Sequence, residues 1–263
     1  MAHESMVRNL AAQAEAIWPA EAPLFARYPV PEQILDLGCG TGEITARLAA
    51  LFPKASVVGV DLELQHLERA RGRAEALGVA RRVSFERADA MSLSLESQRF
   101  DLVVCRHLLQ AVPDVRRVLA EMQRVLAPGG TLHLLAEDYG MLYCDPLPAG
   151  VEPLWQSIVP KYGAAIGCDV HVGRKLFALL SDLGLRGIDA SYVVVVTLRV
   201  SRDTFARIWE AWRDGYTDTL AEHTGVGREE IWARWTEMIA CVRDPRGYGL
   251  WQVPIWSARK ADG

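Results

Sequence analysis

A chain of 263 residues, half of them hydrophobic, can bury a sizeable core in one large domain or in a domain with an embellishment. A net charge of −4, with 29 basic residues scattered among 33 acidic ones, argues against electrostatic recognition of nucleic acid or of an anionic membrane. No apolar run approaches the roughly 18 residues of a membrane span, the N-terminal stretch makes a poor signal peptide, and five cysteines without close pairs read as free thiols of a cytoplasmic protein.

Residues 8–28 set Leu10, Ile17, Trp18, Leu24 and Phe25 among alanines, and Pro19 and Pro23 interrupt them, which predicts one or two short helices. From Gln33 the pattern becomes regular. Strands are expected at 33–37, 55–61, 82–87, 100–105 and 131–136, with helices at about 43–52, 63–77 and 114–126 between them. Short, nearly continuous apolar strands alternating with amphipathic helices imply an α/β fold, a doubly wound, mostly parallel sheet covered on both faces. After Tyr139 the alternation breaks into a segment rich in Pro, Gly and aromatics, read as a lid with one helix near 151–162. A helix at 172–183 then leads to the long strand "GIDASYVVVVTLRV". Two Trp-bearing helices follow, at about 202–222 and 228–242, before a last strand at 249–259. The expected organisation is one integrated domain: a helical segment at 1–32, an α/β core at 33–138, and a lid with capping helices and the last strands at 139–263.

The stretch "QILDLGCGTGEI" runs the first strand into three close glycines, Gly38, Gly40 and Gly42. Such a strand–helix turn suits an anionic group, because backbone amides and the helix N-terminus point at it. The spacing is G-x-G-x-G, with Glu43 where the dinucleotide fingerprint places its third glycine, so a nicotinamide cofactor fits poorly. Asp61 ends the second strand, about 20 residues on, where a carboxylate can accept from both hydroxyls of a ribose. Asp89 follows the third strand, where it could accept from an exocyclic adenine amine. Cys105, Arg106 and His107 close the fourth as the far wall of a crevice.

Together "ILDLGCGTG", "VVGVDL", "RADAMSL", "FDLVVCRHLLQAVPD" and "VLAPGGTLHL" resemble the class I S-adenosylmethionine-dependent methyltransferases of the small-molecule type, over about residues 33–137. The resemblance implies a Rossmann-like, seven-stranded sheet and S-adenosylmethionine as cofactor, with enzymes of secondary metabolism as the setting. It places the methionine carboxylate on the amides of Gly38, Cys39, Gly40 and Gly42, the ammonium near Asp36, and the ribose on Asp61. Adenine is expected between Leu62 and the Asp89–Ala90 pair, with Arg106 on the far wall.

Methyl transfer needs an acceptor held in line and kept dry, and a base only where the acceptor must lose a proton. The expected candidates are His107, Tyr139 and His171, ahead of Glu137 and Asp138. No metal site is expected: Arg106-His107 and Asp138-Tyr139 stand where metal-dependent catechol-type enzymes keep oxygen ligands. "CRHLL" is also unlike the motif of nucleic-acid amino-methyltransferases. The expected substrate is therefore a small, apolar or aromatic metabolite, methylated at O, N or C. A cyclisation on the same fold, with the cofactor kept structurally, is the alternative. The Trp209, Trp212, Trp232 and Trp235 stripe reads as core or homodimer contact.

Overall fold

Helix α1 (Ala2–Glu21) opens this computed structural model, which describes residues 2–262, with side chains from residue 4 on. Pro19 falls in the last turn of α1, where it removes a single N–H and ends nothing, so the expected short helices are one helix of 20 residues. A 3-10 segment, Ala22–Arg27, follows it.

The elements then run β1 (Gln33–Leu37), α2 (Glu43–Leu51), β2 (Ser56–Asp61), α3 (Leu64–Ala76), β3 (Val83–Arg87), β4 (Phe100–Arg106), α4 (Val115–Val125) and β5 (Leu126–Leu135). Beyond them come β6 (Leu142–Asp145), α5 (Leu154–Ala165), α6 (Leu176–Asp182), β7 (Arg186–Val196), α7 (Arg202–Thr224), α8 (Arg228–Arg243) and β8 (Tyr248–Arg259). The described chain divides into two compact units. One comprises Pro23–Ala136, Val172–Ser191 and the residues from Pro254 on; the other comprises the residues up to Ala22, Glu137–His171 and Tyr192–Val253.

In the first unit β3, β2, β1, β4 and β5 lie side by side and parallel, and the end of β8 pairs antiparallel with β5, Leu132 opposite Ala258. Ile34, Leu35, Val58, Val60, Val103 and Leu134 are all buried, as strands covered on both faces require. Leu35, Val58, Val60, Val103 and Leu134 share one core with Leu119 and Met122 of α4 and Leu176 and Leu180 of α6. The chain leaves β1 toward β2 and β3 on one side and returns to β4 and β5 on the other. That reversal opens a crevice at the carboxyl ends of β1 and β4, the usual ligand position of such sheets.

In the second unit β6 pairs antiparallel with the start of β8, Leu142 opposite Trp251. This short strand is the eighth of a mixed, mostly parallel sheet. Helix α7 begins at Ser201, whose side chain accepts the Thr204 amide at 3.0 Å. It packs along α1, and Glu15 there accepts from Thr204 at 2.7 Å and from Arg207 at 2.9 Å. Trp209 and Trp235 are buried within this unit, so half of the Trp stripe is core, and Trp212 is half-buried. Trp232 is partly exposed and lies beneath the Arg213 and Arg228 guanidinium groups. Among the described residues no helix is long and apolar enough to cross a membrane, and all five cysteines are free thiols.

Candidate cofactor site

The glycine loop is tied to the neighbouring strand before any ligand is considered. The amides of Gly38 and Cys39 both donate to the Val60 carbonyl, at 2.8 and 2.9 Å. Gly40 donates to Asp61 Oδ2 at 2.8 Å. Gly42 adopts φ 74° at the start of α2, and a Cβ on it would stand 2.8 Å from the Ala70 Cβ of α3. A side chain there would be strained by the backbone and blocked by a helix, so this glycine has a packing reason of its own.

Asp36 lies beneath the loop, 2% exposed, and accepts the Thr45 hydroxyl of α2 at 2.6 Å. Cys39 turns its thiol inward against Gly59; burial first, and then the charges of Asp36 and Asp61, raise its pKa well above the ordinary value and keep it neutral. The Cys39 amide donates to Val60 and its carbonyl accepts the Gly42 amide at 3.0 Å. The four amides expected to hold the methionine carboxylate, those of Gly38, Cys39, Gly40 and Gly42, are thus all engaged within the protein.

Asp61 closes β2 with its carboxylate already oriented. Oδ1 accepts the Glu63 amide at 3.0 Å, Oδ2 accepts Gly40, and His66 Nδ1 stands 3.7 Å from Oδ1. Burial alone would raise its pKa, but the His66 side chain and the two amides outweigh burial and hold the carboxyl below its usual value. Beside it Leu62 is 53% exposed, an apolar surface of the kind a flat ring can cover. Asp89 is exposed and fixed by a local turn, Oδ1 accepting the Met91 amide at 2.9 Å and its carbonyl accepting Ser92. Ala90 follows, half-buried.

On the far side, Arg106 ends β4 and is 8% exposed. His107 follows with φ 54°, a left-handed backbone that costs a non-glycine residue about 1–3 kcal/mol, and its amide donates to the Leu135 carbonyl at 3.0 Å. Leu108 then covers Gly38. The Thr41 hydroxyl in the loop and the Gln110 amide oxygen beyond β4 are buried and have no protein partner. Buried polar atoms are normally satisfied, so two such atoms in the segments bordering this crevice fit a polar ligand.

The register aligns these groups, since Leu37 pairs with both Val60 and Cys105, and Asp61 pairs with Arg87. Asp36, Gly38, Cys39, Gly40, Gly42, Asp61, Leu62, Asp89, Ala90, Arg106 and His107 thus belong to one unit, at or just beyond the carboxyl edge of its strands. Tyr139 and His171 belong to the other unit. There Tyr139 is 5% exposed, packed on Trp155 with ring centres 4.8 Å apart, and its amide donates to Val170. His171 is half-buried and donates its amide to Asp169. Glu137 accepts the Trp251 indole N–H at 3.2 Å and Asp138 accepts the Gly140 amide, both fully buried, so each has a structural bond. Sequence reasoning passed over His66, Thr45, Thr41 and Gln110. His66 carried one legible signal, an imidazole in the first turn of the helix that follows the acid ending the second strand. Among the described residues no group of three or more His, Cys, Asp or Glu side chains could hold a metal ion.

A family model described as "Methyltransferase domain" matches residues 34–130. The demethylmenaquinone methyltransferase of Thermus thermophilus is 37% identical over 179 residues, 66% of this chain and 77% of that protein. The 27-O-demethylrifamycin SV methyltransferase of Amycolatopsis mediterranei is 39% identical over 121 residues, 46% of this chain and 42% of that protein. The fold is similar to that of geranyl diphosphate methyltransferase solved with S-adenosylmethionine, with TM-score 0.55, 20% identity, and coverage of 92% of this chain and 85% of that one. With its glycine loop, strand-end acids and sheet order alongside these likenesses, the chain belongs to the class I S-adenosylmethionine-dependent methyltransferases.

Proposed function

We propose that this enzyme methylates a small, mainly apolar or aromatic metabolite at O, N or C, without a metal ion, chiefly by positioning. The observation that carries the acceptor class is an aromatic cluster in the second unit. Tyr139 packs on Trp155, Trp212 meets both rings edge-on, and Tyr216 stacks on Trp212 at 4.4 Å. Trp212 and Tyr216 are only half-buried, so part of this surface remains for a flat apolar guest. Relatives named for demethylmenaquinone and 27-O-demethylrifamycin SV are consistent with a small-molecule acceptor.

Residues of the first unit divide the cofactor between them: the glycine loop for the methionine end, Asp36 on the ammonium side, Asp61 for the ribose, and Leu62, Asp89 and Ala90 for adenine. When bound, S-adenosylmethionine supplies a methyl group already activated by its sulfonium charge. The protein's remaining tasks are alignment, exclusion of water and, for an O–H or N–H acceptor, removal of one proton. His107 is the first choice for that proton, because strained backbone at a strand end is kept where function needs it. Tyr139 and His171 are the other two.

Mass spectrometry of reactions with a panel of phenolic, quinol and polyene acceptors, run in EDTA, tests the reading. A product heavier by one methyl, formed with one equivalent of S-adenosylhomocysteine, is expected. Turnover to a product of unchanged mass, with no S-adenosylhomocysteine, would overturn methyl transfer in favour of cyclisation. His107→Asn is expected to lower kcat about 10²–10⁴-fold if it is the base, with the basic limb of the pH profile flattened. A normal profile would pass the role to Tyr139→Phe or His171→Asn.

A further inference from the structure

We propose that His66 is a second ribose-recognition residue, its imidazole donating a hydrogen bond to the same cofactor hydroxyl that donates to Asp61. The inference rests on the reading that Asp61 holds the ribose, and adds to it a partner from α3. Asp61 Oδ1 already accepts Glu63 at 3.0 Å and Oδ2 accepts Gly40 at 2.8 Å. Each carboxylate oxygen has room for about two donors, so one place remains on each for a hydroxyl.

His66 stands in the first turn of α3, with Nδ1 3.7 Å from Asp61 Oδ1. That separation is too long for a direct hydrogen bond. It is short enough for one hydroxyl oxygen to lie within about 3 Å of both atoms. A hydroxyl donates and accepts at once, so it can give its proton to the carboxylate and take a hydrogen bond from the imidazole. The adjacent carboxylate favours the tautomer with the proton on Nδ1. Both side chains are largely shielded, 13% exposed for His66 and 15% for Asp61, so water competes weakly for the bridge.

Calorimetric titration with S-adenosylhomocysteine and with its 2′,3′-dideoxy analogue separates recognition from packing. His66→Ala and His66→Phe are expected to weaken S-adenosylhomocysteine about five- to tenfold, the worth of one hydrogen bond. His66→Asn, which keeps a donor near the place of Nδ1, should stay within about twofold of wild type. None of the three should change the affinity of the dideoxy analogue. Equal losses for both ligands would make His66 a packing residue and overturn the proposal, as would unchanged affinity in both His66→Ala and His66→Phe. Asp61→Ala weakening both ligands equally, or weakening neither, would instead overturn the ribose reading, so the two failures are told apart.

Discussion

Around Asp61 the protein gathers two backbone amides and an imidazole, and their combined effect on its charge can be measured without any ligand. Burial disfavours the carboxylate, yet the His66 side chain and the Glu63 and Gly40 amides win and depress its pKa below the ordinary carboxylate value. A depressed carboxyl stabilises the fold fully above its unfolded value and loses that contribution as pH falls through the lower folded one. Asp61→Asn is therefore expected to cost about 2 kcal/mol near neutral pH, since bonds to a charged acceptor are lost or weakened. Urea midpoints of the two proteins should stay equally spaced down to about pH 5 and converge in stronger acid. A gap that persists at the lowest pH would mean that shape, and not charge, makes the difference. At this scale the sequence revealed which acids sit at strand ends, and little of what they touch. Asp36 was legible as an acid inside the first strand, two residues before the glycines, but its bond to Thr45 depends on how α2 leaves the loop. Glu137 and Asp138 looked like free candidates because their partners, Trp251 and a local amide, cannot be read from residue type.

Between elements, Gly42 decides how closely the start of α2 approaches α3. A Cβ there meets Ala70 at 2.8 Å and Phe85 at 3.3 Å, and the backbone is left-handed at φ 74°. Gly225, the C-cap of α7, is equally left-handed at φ 69° but has nothing within 4 Å of an added Cβ. Gly225→Ala should therefore cost only the backbone penalty, about 1–2 kcal/mol, whereas Gly42→Ala should cost at least about 1 kcal/mol more through overpacking. Chemical denaturation of both variants reads the difference directly, and equal losses would remove the packing role of Gly42. The loop glycines, with the strands and helices from β1 to β4, were legible because period and punctuation agree along that stretch. Strand β6 was not: its four residues lie in a segment rich in proline and glycine, and pairing with distant Tyr248–Trp251 makes them a strand. Helix α1 was misjudged for the opposite reason: Pro19 was read as an interruption, yet the helix continues through it to Glu21 despite the bond it removes.

For the whole molecule, legibility follows what each half must recognise. A fixed cofactor imposes the same groups at successive strand ends, and residues 34–130 carry enough of them to be matched as a family domain. On the reading proposed above, the acceptor imposes only shape and dryness, which many side chains can supply, so residues 137–171 and 192–253 are legible as helices with aromatic faces and not as a named pocket. One thermodynamic consequence needs no knowledge of the acceptor. A ligand that binds only the folded chain stabilises it by RT ln(1 + [L]/Kd), about 2.7 kcal/mol at a hundred times Kd. For a chain of 263 residues that corresponds to a rise of about 5–10 °C in Tm. S-adenosylhomocysteine should produce this rise in EDTA as well as in magnesium, because among the described residues no group of three or more His, Cys, Asp or Glu side chains could hold a metal ion beside the proposed site. Asp61→Ala should lose most of the rise at the same ligand concentration while remaining folded in its absence. A rise that requires magnesium would refute the metal-independent site, and one that survives Asp61→Ala intact would place the ribose elsewhere.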